Sequence, residues 1–194
     1  MFRSFYLLGL IVLASGLSSC GYNKLQGLDE DVKASLSEVD NQYKRRADLI
    51  PSLVNTVKGF AKQEKETLTA VVEARAKATQ TNLNAGDLSD PQKVQAFQSA
   101  QSGLGSALSR LMVVVEKYPE LKSNENFRDL QSQLEGTENR IAVARRRFIE
   151  SVAEYNKAVR YFPSNLTAKY LLGLSVRENF KGEEAAKEAP KVEF

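Results

Sequence analysis

Histidine is absent from the chain. Zinc and di-iron sites in helical bundles usually need imidazole, as in the Glu-x-x-His pairs of ferritin-like bundles. The usual general base for a serine or cysteine nucleophile is also missing. What remains open to an enzyme is carboxylate-only or Ser-Lys chemistry, and no cofactor or metal is implied. Cys20 is the one cysteine. It cannot form an internal disulfide, so an oxidising compartment is compatible with the chain but does not staple it. There is no tryptophan, and 11 glycines and 5 prolines are few for 194 residues. The 27 basic and 24 acidic residues leave a net charge of only +3. They are interleaved, as on a solvated helical surface, and give weak grounds for a nucleic-acid partner.

The apolar N-terminus is short. Arg3 precedes an apolar stretch from Phe5 to Leu17, whereas spanning a bilayer takes roughly 20 apolar residues. Small residues then lead to Cys20, which is the layout of a secretory signal peptide. Leu17-Ser18-Ser19-Cys20 also resembles the bacterial lipobox, in which the cysteine is lipidated and becomes the mature N-terminus. The alternative is a plain signal anchor with an incidental cysteine. Residues 1–19 are thus expected to be a signal peptide and 20–24 a linker from the lipid on Cys20. Loss of Arg3 would lower the charge to +2. The remainder suits one compact domain.

From Leu25 to Phe162 the apolar spacing is helical. The first stripe is Leu25, Leu28, Val32, Leu36, Val39, Tyr43, and it runs to Asp48. Ile50-Pro51 then predicts a tight turn over 48–51, because proline disfavours a helix interior and suits a first helical position. A kinked continuous helix is the alternative. The second helix is expected from Pro51 to Thr81, with Val54, Val57, Ala61, Glu64, Leu68, Val71 and Arg75 on one stripe. Asn84-Ala85-Gly86-Asp87 reads as a turn with Gly86 free to go left-handed, and Asp90-Pro91 as an N-cap and first-turn proline. The third helix, 91–117, carries Val94, Phe97, Gln101, Leu104, Leu108, Leu111, Val115 and Tyr118. Asn124 is the expected cap of the fourth. There Phe127, Leu134, Ile141, Phe148, Tyr155 and Phe162 recur every seventh residue, with Leu130, Thr137, Ala144, Ser151 and Ala158 between them. Large residues alternating with mostly small ones make a bundle seam. The expected fold is all-α: an antiparallel four-helix bundle over 25–163. The alternative is a three-helix arrangement with a kinked first helix. Residues 164–180 are expected to form a short apolar segment outside the bundle, and 181–194 a disordered tail.

Three segments resemble the LemA family: Tyr22-Asn23-Lys24-Leu25 with Leu28-Asp29-Glu30; Asn41 to Gly59, through Arg45-Arg46-Ala47-Asp48-Leu49-Ile50-Pro51; and Tyr118 to Phe148, through Glu135-Gly136-Thr137-Glu138-Asn139-Arg140. Tyr155-Asn156, Phe162-Pro163 and the final Ala189 to Phe194 are similar too. The resemblance implies an all-α bundle fixed to a membrane by its N-terminus, with its bulk outside the cytoplasm. It implies no defined activity and transfers no catalytic residue. Many members begin with a transmembrane helix; Cys20 favours a lipid anchor here.

Within the helical stripes, several polar residues invite a role. Asn41 and Arg45 share a helix face, with Asp48 one turn further. Glu64 and Arg75 sit in the second stripe, and Glu138 and Arg145 flank the fourth seam. Buried, each charge needs a partner. The sequence predicts one network of Arg45, Asp48, Glu138 and Arg145, with Asn41 or Arg45 reaching Glu138. It would serve as a structural network, a surface for a partner protein or a small-ligand site. Arg145-Arg146-Arg147 points in three directions around a helix and does not form a nucleic-acid patch. The leading expectation is a lipid-anchored, non-catalytic scaffold of the bacterial envelope, facing the extracytoplasmic side and serving an unknown envelope protein. Gly21 after the cysteine resembles an outer-membrane signal in a cell with two membranes. The runner-up is an enzyme using carboxylates such as Glu64 or Glu138, or a small-ligand binder.

Overall fold

The computed structural model describes the backbone of residues 2–181 and the side chains of residues 21–181. Helix α1 spans Phe2–Phe60, α2 Lys65–Gln80, α3 Pro91–Val115, the short α4 Pro119–Ser123 and α5 Glu125–Arg160. A 3-10 turn at Ala85–Ser89 links α2 to α3. After α5 come one turn, α6 (Ser164–Leu166), and a wider π-type turn at Thr167–Leu171. Among the described residues there is no strand, so the chain is all-α.

The turn expected at 48–51 is absent: α1 continues through Pro51 to Phe60. Seam spacing explains why. Leu25, Asp29, Val32, Leu36, Val39, Tyr43, Arg46, Ile50, Leu53 and Val57 alternate steps of four and three, and all ten are buried. A turn at Pro51 would have reset that phase. Proline still removes one backbone donor, which leaves the carbonyl four residues earlier, at Ala47, without its helical partner. Arg75 of α2 fills the vacancy by donating from Nε to the Ala47 oxygen at 2.7 Å. The first interhelical turn falls later, at residues 61–64, where the Glu64 amide bonds the Ala61 carbonyl at 3.1 Å.

Other ends form as their residues dictate. The Asp90 carboxylate accepts from the amides of Gln92 (2.9 Å) and Lys93 (3.4 Å), ahead of Pro91. The Asn124 side chain accepts from the Phe127 amide at 3.0 Å. Gly86 is not left-handed; Gly173 alone among the described glycines has positive φ, at 61°. The 84–87 turn is closed instead by Asn84 and Asp87, through the Asn84 amide on the Asp87 carboxylate at 3.0 Å.

Helices α1 and α5 run antiparallel over the greatest length. Gly21 approaches Ser164, Tyr43 meets Arg145, and Arg46 meets Glu138, so numbers fall on α5 as they rise on α1. On α5 the every-seventh residues from Phe127 to Tyr155 are all buried, as are Thr137, Ala144 and Ala158, whereas Leu130 and Ser151 are only partly buried and Val152 is buried beside the latter. The series of large residues stops at Tyr155. The helix ends at Arg160, and Phe162 is 78% exposed.

The core has two main parts. The distal one joins Ile50, Leu53 and Val57 of α1 to Leu68 and Val71 of α2, Leu104, Leu108 and Leu111 of α3, Leu121 of α4 and Phe127 of α5. This half is a four-helix arrangement. The proximal one, nearer Gly21, joins α1, α3 and α5 around Phe97, Phe148 and Tyr155. Helix α2 is too short to reach it. Leu83 and Leu88 of the connection and Phe180 of the C-terminal segment fill the space. Residues 174–180 are therefore part of the bundle rather than an apolar segment outside it. The tail expected over 181–194 lies outside the described residues except for Lys181, and the side chains of the expected signal and of Cys20 lie outside them too.

Candidate functional site

A polar layer crosses the bundle between the two cores. Arg46 holds a seam position on α1, and its side chain is only 5% exposed. Its Nη1 donates to Glu138 on α5 at 3.1 Å. Its Nη2 donates to the Gln101 side chain at 2.6 Å and to the Gln101 carbonyl at 3.2 Å on α3. Gln101 in turn donates from Nε2 to the Ala78 carbonyl of α2 at 3.3 Å. One guanidinium thus ties α1, α3 and α5 directly and reaches α2 through an amide. Its ring neighbour is Tyr43, 5.0 Å away, a cation–π arrangement. Glu138 is 44% exposed at the rim, so water screens its ion pair. The Gln101 bonds are fully enclosed and carry more of the layer's strength.

The second polar tie closes the proximal end. Asp29 of α1 pairs with Arg177 of the C-terminal segment, and both side chains are about nine-tenths buried. The Arg177 guanidinium lies 4.4 Å from the Tyr155 ring centre. Asn156 brackets the Arg177 backbone, accepting from its amide and donating to its carbonyl, both at 2.8 Å. Tyr155 donates to the Ser175 carbonyl at 3.2 Å, and Asn179 to the Ile149 carbonyl at 3.0 Å. The Glu178 amide bonds the Leu88 carbonyl at 2.6 Å. The segment ends with Phe180 packed on Phe148 (4.4 Å between ring centres) and on Phe97 (6.1 Å). Burial raises the Tyr155 phenol above its ordinary value; Asp29 pushes the same way and Arg177 opposes both.

Beside this segment lies a groove of about 430 Å³. Gln95, Gln98 and Ser102 of α3 form one wall, with Arg145, Glu178 and Lys181 opposite. Arg145 lines it while donating to the Tyr43 hydroxyl at 3.1 Å and lying 5.4 Å from the Phe180 ring centre.

The residues singled out from sequence are dispersed. Asn41, Arg45 and Asp48 are exposed, and no ion pair among the described residues includes Arg45 or Asp48. Glu138 meets Arg46, the neighbour of the expected Arg45. Arg145 bonds Tyr43 rather than an acid. Glu64 accepts from the Tyr118 hydroxyl at 3.2 Å, away from the layer. There desolvation first, and the Glu64 bond second, raise the Tyr118 phenol. Arg75 serves the Ala47 carbonyl. The single expected network is therefore replaced by several separate ties. Arg46, Asp29, Asn156 and Arg177 were missed. The seam phase held the signal for two of them, because Asp29 and Arg46 fall on it without a break.

The LemA family is matched by residues 35–194. Relatives include magnetosome protein MamQ of Magnetospirillum gryphiswaldense, 28% identical over 158 residues, which are 73% of this chain and 58% of the relative. MamQ 1 and MamQ 2 of Paramagnetospirillum magneticum are each 26% identical over 187 residues, or 88% of this chain and 68% of theirs. The chain thus spans under two thirds of the first of these.

Proposed function

The chain belongs to the LemA family, and from that premise we propose a membrane-tethered helical module of the bacterial envelope that binds another protein and performs no catalysis. Its tether is a lipid on Cys20, and the bundle faces the extracytoplasmic side. Similarity to magnetosome proteins supports membrane association. So does the apolar stretch 5–17 at the start of α1; among the described residues no helix is long and apolar enough to cross a membrane.

The observation that carries the non-catalytic reading is the placement of the two candidate carboxylates. Glu64 is engaged by Tyr118 and Glu138 by Arg46, in separate places. Neither lines the groove, so the paired acid and base of carboxylate catalysis is not assembled there. A second reading keeps the groove as a small-ligand site, since about 430 Å³ exceeds the roughly 300 Å³ at which ligand pockets begin.

Metabolic labelling with palmitate and membrane fractionation test the tether. Cys20→Ser should abolish both the label and the retention of the chain in membranes. Label retained on the Cys20→Ser protein would reject it. Purification of the tagged chain from membranes should recover one stoichiometric protein partner. Turnover of an envelope substrate by the pure chain would reject the non-catalytic reading.

A further inference from the structure

At the proximal end of the bundle the surface departs from the rest of the molecule in two ways. The first is exposed aromatic and aliphatic area. Tyr161, Phe162, Leu166, Tyr170 and Leu171 are 49–78% exposed within one eleven-residue segment. Tyr22 is also exposed, and α1 and this segment meet where Gly21 packs beside Ser164 and Thr167. Large exposed apolar residues are otherwise scattered singly, as at Phe60, Val72, Val113 and Val143. The second is charge. Residues 1–28 contain no acidic residue, and neither do residues 155–177. Those two stretches carry Arg3, Lys24, Lys157, Arg160, Lys169 and Arg177, the last of them committed to Asp29. At the distal end signs are mixed, with Lys62, Lys65, Glu66, Glu116, Lys117, Glu120 and Lys122.

We infer that this end is a membrane-contact surface, seated on the headgroup region of an anionic bilayer with the segment 161–171 in the interface. Exposed tyrosine and phenylalanine suit that layer, because the ring is apolar and the tyrosine hydroxyl stays wet. Lysine and arginine around them complement anionic headgroups; the first carboxylates on α1 are Asp29, which is paired with Arg177, and Glu30 and Asp31, about 12 Å or more along the helix from Gly21. A soluble protein partner would not by itself require the acid-free stretch on both chain segments at once. The position fits as well: Gly21, next to the proposed lipid site at Cys20, packs beside the patch. The inference rests on the tethered reading proposed above. One lipidated residue would fix the chain to the bilayer, and the patch would set which way the bundle stands on it.

The lack of tryptophan supplies the test. The full chain carrying Phe162→Trp, and separately Val113→Trp at the distal end, is reconstituted into phosphatidylethanolamine–phosphatidylglycerol vesicles with brominated acyl chains. Both positions are well exposed, so neither substitution disturbs the core. Flotation of the vesicles reports the tether; tryptophan fluorescence reports the patch. The expected result is co-flotation, with the Phe162→Trp emission blue-shifted and quenched by brominated lipid several-fold more than that of Val113→Trp. Co-flotation with equal, water-like emission from both variants would overturn the patch and leave the tether standing. A chain that does not float would overturn the tether, and this inference with it.

Discussion

Arg46 and Asp29 stand on the same seam of α1, yet the bundle satisfies them differently. Partners for Arg46 come from α3 and α5, elements without which there is no bundle. Asp29 is paired by Lys33 one turn along its own helix, at 2.9 Å, and across the bundle only by Arg177, on an irregular segment held by side-chain caps, one backbone bond to Leu88 and one phenylalanine. A buried charge among helices fixes their register, since any slip would leave it unpaired. A buried charge facing an extended segment acts as a clasp, which can open while the helices remain. Two charges on one stripe thus do different work, and the difference lies in what faces them.

Breaking the first site should have the larger effect. Arg46→Ala leaves a cavity and an unpaired buried Gln101 oxygen, and should lower unfolding stability by about 3 kcal/mol in denaturant melts. Combining Arg46→Met with Gln101→Leu should recover most of that loss, because an apolar replacement of a buried polar set is often neutral. Failure of the double variant to recover would mean that the polar layer stabilises the fold outright.

Asp29→Ala should cost less, about 1–2 kcal/mol, since Arg177 can leave with its segment and be hydrated. Tyr155 sharpens the point. Its raised pKa favours the neutral phenol in the folded state, so its contribution is full below about pH 10, the unfolded tyrosine value. The contribution is lost as pH rises through the higher folded value. Stability should fall on the alkaline side, and less steeply in Tyr155→Phe. Equal alkaline slopes in the two proteins would remove Tyr155 from the clasp.

The smallest effect concerns Pro51. Arg75→Leu should destabilise the chain by about 1 kcal/mol by orphaning the Ala47 carbonyl. In a Pro51→Ala background the backbone donor returns, and the same change should lose most of its effect. A double-mutant cycle with no coupling would contradict this account of the proline.

These sites also mark where the sequence could be read. The large-residue series of α5 was legible from Phe127 to Tyr155 because each of its five members is buried on the face its period implies, while Leu130 and Ser151 between them lie partly outside it. Asp90 and Asn124 were legible as caps because a cap is local chemistry. Pro51 misled because the donor that replaces its missing bond comes from α2, which no local pattern reveals. Arg45 was favoured over Arg46 by its spacing from Asn41 and Asp48, but burial follows seam phase, and that phase puts Arg46 inside. Arg177 and Phe180 carry no periodic signal at all; only the space left by the short α2 gives them a place.

Hydrogen exchange tests the distinction between register and clasp most directly. Amide exchange is followed by mass spectrometry in the intact chain and in Asp29→Ala. The account predicts roughly tenfold or faster exchange in peptides covering 174–181, matching the loss of about 1.4 kcal/mol of local protection. Peptides from α3 and from residues 125–148 of α5 should keep their rates. Uniform acceleration along α1, α3 and α5, or no change at 174–181, would contradict it.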